Sequence, residues 1–61
     1  MSAESVIAAI RRLNRAHPQL SRRKLLVPAG ALLQAHMVEG KPADETIAAL
    51  ESVYRRLSES T

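Results

Sequence analysis

Residues 21–40, SRRKLLVPAGALLQAHMVEG, hold the chain's densest set of large aliphatic side chains together with its densest positive charge, and their reading decides the fold. At 100° per residue, Leu25, Leu26, Ala29, Leu32, Leu33, His36 and Met37 fall on one broad side of a helix. Pro28 interrupts this run. It has no N–H for the Lys24 carbonyl, and its ring crowds the preceding turn, at about 3 kcal/mol in a helix interior. The apolar face nevertheless keeps its register across the proline. Two arrangements stay open: one long kinked helix over residues 21–39, or a break at 28 with proline at the first position of a fresh helix. Ser21 has the chemistry of an N-cap. Gly40 suits the left-handed residue that ends a helix.

Outward from this segment, residues 3–16 read as a helix behind a Ser2 cap, with Val6, Ile7, Ile10 and Leu13 along one side. Pro18 disfavours helical geometry at His17, which ends the helix and leaves a short connection from which Leu20 enters the core. After Gly40, Lys41-Pro42-Ala43 is a turn. A third helix is expected over 44–58, capped by Asp44 or Ala43, with Asp44 favoured by cap preference, and with Ile47, Leu50, Val53, Tyr54 and Leu57 as its apolar stripe and 59–61 frayed. No strand pattern, repeat or low-complexity stretch is visible. The expectation is a single all-α domain over residues 1–61, a small three-helix bundle with a kinked central helix or a helical hairpin, completed by self-association.

Size motivates the last clause, because a 61-residue chain buries only about 60% of the surface its unfolded form exposes. There are no cysteines for disulfides, and two histidines alone make no structural zinc set. No apolar run approaches the ~20 residues that span a bilayer. The VIAAI run precedes Arg11 and Arg12, the reverse of an export signal, so the expected location is cytoplasmic. Net charge is +3, unevenly placed: six basic residues against Glu4 alone up to position 38, then three basic against five acidic, or +5 and −2. Such a balance favours anionic partners.

Helix electrostatics separate cations that help folding from those that do not. Acids early and bases late in a helix each contribute about 0.3–1 kcal/mol. Glu4 with Arg11, Arg12 and Arg15 obeys this rule, as do Asp44 and Glu45 with Arg55 and Arg56. Arg22, Arg23 and Lys24 break it, three consecutive cations at a helix start. A local rule broken without local compensation points to function. The reading is an anion or partner site of Arg11, Arg12, Arg15, Arg22, Arg23 and Lys24, against the alternative of a solvated corner neutralised by Glu39, Asp44 or Glu51. His36 reads as a core or interface histidine bonded to a backbone carbonyl or water. With only Glu39 nearby, it is no metal ligand.

No spacing of Ser, His and Asp suggests a triad and no glycine-rich loop suggests phosphate chemistry, so the chain reads as non-enzymatic and without cofactor or metal. No motif assigns it to a family. The functional expectation is a helical adaptor or regulator that binds another protein, a second copy of itself, or both. Its surfaces are the basic corner and an apolar interface of Leu25, Leu26, Leu32, Leu33, His36 and Met37. The alternative is a nucleic-acid-binding accessory protein gripping the phosphate backbone. Tyr54 as sole aromatic residue argues against base stacking, and a first helix without Trp or Phe argues against a membrane surface. No small-molecule substrate is implied.

Overall fold

Three helices, α1 (Ala3–Ala16), α2 (Arg22–Glu39) and α3 (Ala43–Glu59), make up the computed structural model, which describes residues 3–60. No strand occurs among the described residues. Ser2, the expected cap of α1, lies outside them, as do Met1 and Thr61.

Ser21 caps α2 in extended geometry, its hydroxyl accepting from the Arg23 N–H at 3.2 Å. At the far end Gly40 adopts φ 68°, the left-handed region where a Cβ would be strained. Its N–H bonds the Met37 carbonyl at 3.2 Å, and the Lys41 N–H bonds that of His36 at 3.0 Å, the paired closure of a Schellman motif. Between these stops α2 runs through Pro28 as a single helix. Of the two arrangements the sequence leaves open, the unbroken helix is the one adopted.

The third helix begins differently from the sequence expectation. Its cap is Pro42, with extended φ and ψ and no side-chain bond, and Asp44 sits inside the first turn beside Glu45. Proline's fixed φ sets the entry, while Thr46 serves the Pro42 carbonyl twice, from its N–H at 3.3 Å and its hydroxyl at 3.4 Å. The acids then act through the helix dipole. The end also differs: α3 reaches Glu59, and Ser60 closes it by donating its N–H to Arg56 and its hydroxyl to Leu57. Ser58 accepts from the Gln19 amide at 3.0 Å, which ties this last turn to the α1–α2 connection.

α3 is the spine. It packs against both α1 and α2, whereas no Cα of α1 lies within 8 Å of one of α2. The core is correspondingly narrow: Val6 and Leu13 from α1, Leu20 from the connection, Leu25 from α2, Leu50 and Tyr54 from α3. On α1 the buried line is Val6, Ala9 and Leu13, and Ile7 is half exposed at 49%. The small Ala9 turns to α3, rotating the helix away from the Val6-Ile7-Ile10-Leu13 face that hydrophobicity alone selects. On α3 the buried line is Thr46, Leu50 and Tyr54, one residue every turn.

Candidate functional site

The six cations read from sequence as one corner are divided by helix geometry. Arg11 and Arg15, four residues apart on α1, meet Arg22 at the start of α2 around Asn14, and these four line one shallow groove. Arg23 and Lys24 follow Arg22 at 100° steps, so the three point to different sides of α2 and cannot share one face. Arg12 lies on the other flank of α1, 3.6 Å from Glu51 of α3. That pair is exposed and contributes at most about 1 kcal/mol. The remaining ion pair among the described residues joins Lys41 to Glu39 at 3.4 Å. Arg11, Arg15 and Arg22 therefore have no carboxylate partner there.

Asn14 and Arg22 also line a second, apolar groove with Ile10 of α1, Leu25, Leu26, Ala29, Gly30 and Leu33 of α2, and Tyr54 of α3. Two grooves sharing the same two residues form one depression, apolar along its length and basic at one end. Its origin is the fold itself: α1 and α2 both pack their backbones against α3 and stay farther apart from each other, so a groove runs between them. Tyr54 belongs to its lining. Its hydroxyl donates to Asn14 Oδ1 at 2.6 Å, and burial raises its pKa above the ordinary 10.0. The His17 ring lies 5.8 Å from the phenol ring, centroid to centroid.

The expected apolar interface divides in two. Leu25 and His36 are buried in the chain's own core and are not available to a partner, and Leu32 and Leu33 are half-buried. Leu26 and Met37 are 72% and 69% exposed. The helix turns them away because α3 covers only the side centred on Leu25, Ala29, Leu32 and His36. His36 finds a side-chain partner: its Nδ1 lies 2.7 Å from Thr46 Oγ1. A hydroxyl has one proton. Directed to Pro42, it leaves Nδ1–H as the donor to Thr46.

Sequence reasoning missed Thr46, Asn14 and the exposed valines of α2. A signal existed for two of them. Thr46 stands four and eight residues before Leu50 and Tyr54, and a buried tyrosine needs a partner for its hydroxyl, which Asn14 supplies. Among the described residues no group of three or more His, Asp or Glu side chains is placed to hold a metal. No helix there is long and apolar enough to cross a membrane. No family model matches the chain, and neither a curated protein nor a solved structure is similar to it at a significant level.

Proposed function

We propose that the chain is a small non-enzymatic adaptor or regulator that receives an amphipathic helix of another protein in the depression between α1 and α2. The observation that carries this reading is the pairing of an apolar lining with three unpartnered arginines at one end. A guest helix would lay an aliphatic stripe along Ile10, Leu26 and Leu33 and direct acidic residues to Arg11, Arg15 and Arg22. Arginine is suited to carboxylates because its planar fork binds both oxygens.

The experiment is affinity capture from nuclease-treated and untreated lysate, followed by titration of the captured protein with variants. Leu26→Asp and the triple replacement of Arg11, Arg15 and Arg22 by alanine should each abolish capture. The Arg55/Arg56→Ala control should keep it. A second reading, contact with a nucleic-acid backbone, draws on the same three arginines. It replaces the first if capture disappears after nuclease treatment and affinity for a DNA duplex falls steeply with salt, with a slope that decreases as the arginines are removed.

A further inference from the structure

The outer side of α2 is a separate surface. From Leu25 to Val38 the helix contains no Asp, Glu, Lys or Arg. Ala31, Gln34 and Ala35 are exposed on this side, between Val27 and Val38 at 76% and 81% exposure, and Gly30 lies at its edge, where it meets the α1–α2 groove. A helix apolar all round belongs to an interior, yet α3 covers only one side of this one. Charge is confined to its ends, Arg22, Arg23 and Lys24 at the start and Glu39 at the finish.

We infer that this side binds a second copy of the chain, α2 against α2 in antiparallel orientation about a two-fold axis near Gly30 and Ala31. Charge decides both occupant and direction. A parallel pair would stack Arg23 and Lys24 of both copies, four cations, together. An antiparallel pair sets Arg23 and Lys24 of each copy beside the negative end of the other's helix dipole and its Glu39, which within one chain holds Lys41 at 3.4 Å, so two cations misplaced within one chain meet a complementary helix end in two. Gly30 has nothing within 4 Å of where a Cβ would stand, and with Ala31 it lets the axes approach closely at the midpoint. In this register Val27 faces Gln34 and Val38 faces Arg23. An anionic membrane is the less favoured occupant, because the basic residues sit at one end of the face and no Trp or Phe lies on it. The face is about 27 Å long and about 10 Å wide, below the ~800 Å² per partner of a standard interface, so the dimer is weak and concentration-dependent.

Sedimentation of the full chain from about 1 μM to several hundred micromolar should show a monomer passing into a dimer, with dissociation in the micromolar range. Ala31→Glu should weaken association at least about tenfold while leaving helicity unchanged. The absence of native cysteine permits a test of direction. Ala31→Cys should form a linked dimer with itself under mild oxidant. Val27→Cys should not, since antiparallel copies set two such positions about 10 Å apart, beyond the ~7 Å disulfide limit, whereas a mixture of Val27→Cys and Gln34→Cys chains should link. A monomer at every concentration overturns the inference, as does linkage of Val27→Cys alone as efficient as the mixture. Loss of association in Leu26→Asp with none in Ala31→Glu places self-association in the α1–α2 groove and overturns it too. So does a chain that stays monomeric but co-sediments with phosphatidylserine vesicles through this face.

Discussion

At the scale of single residues, one buried and one part-buried hydrogen bond fasten α3 to its neighbours, and each makes a separable prediction. His36→Leu and Thr46→Val should each destabilise by about 1–2 kcal/mol, since either leaves a buried polar group of the other without its partner. The double variant should cost less than the sum, by about 1 kcal/mol, measured as a double-mutant cycle in urea. Additive losses would remove the 2.7 Å contact from the energetics. Tyr54 supplies the pH-dependent case. Its folded pKa is raised by burial, so its contribution is fully present below the ordinary value of 10.0 and is lost as pH climbs through the folded value. Tyr54→Phe should therefore be less stable than the parent near pH 8 by about 1 kcal/mol, and the gap should narrow as pH rises past 10. A gap constant to pH 11 would exclude the Asn14 bond as its source.

At the scale of elements, the helices were legible where a stop has a local cause. Ser21 and Gly40 bracket α2 through side-chain and backbone chemistry that involves no other part of the chain. The start and end of α3 were less legible because they depend on distant residues: Thr46 ties down the Pro42 carbonyl under His36, and Gln19 reaches Ser58 across 39 positions. The rotation of α1 was hidden for the same reason, since only the presence of α3 makes Ala9 a better contact than Ile7. Within α2, Pro28 and Gly30 are the two weak positions, one lacking a donor and one lacking a Cβ. Pro28→Ala should raise stability by about 1–2 kcal/mol, less than the full helix penalty because proline also restrains the unfolded chain and helps line a groove with Val53 and Leu57 of α3. Gly30→Ala should add about 0.5–1 kcal/mol, there being open space at that position. Both are read from denaturation midpoints at low protein concentration; a destabilised Gly30→Ala would mean that the helix is not continuous there.

At the scale of the whole molecule, the charge asymmetry was readable from the sequence but the grouping of the cations was not. Consecutive positions appear as a cluster on the page and as a ring around the helix in space, so Arg22 joins Arg11 and Arg15 while Arg23 and Lys24 go elsewhere. For the isolated monomer, replacing Arg22, Arg23 and Lys24 with alanine should leave the fold intact and raise stability by a few tenths to about 1 kcal/mol, because these residues oppose the dipole of α2. Removing Arg55 and Arg56 should lower it slightly, since they lie near the negative end of α3. Thermal melts of the two variants make the comparison; shifts of the same sign, in the ratio of three lost charges to two, would mean that net charge alone governs stability.

The spine arrangement also has a consequence in time. The close backbone packing of both α1 and α2 is against α3, and α3 is the last of the three to leave the ribosome. While the first forty or so residues emerge, α1 and α2 lack the helix against which each packs most closely, and an isolated helix of this length is marginal in water. Synthesis therefore does not build this fold piece by piece. The nascent chain carries an uncovered aliphatic segment until α3 arrives, and the helices then assemble around it.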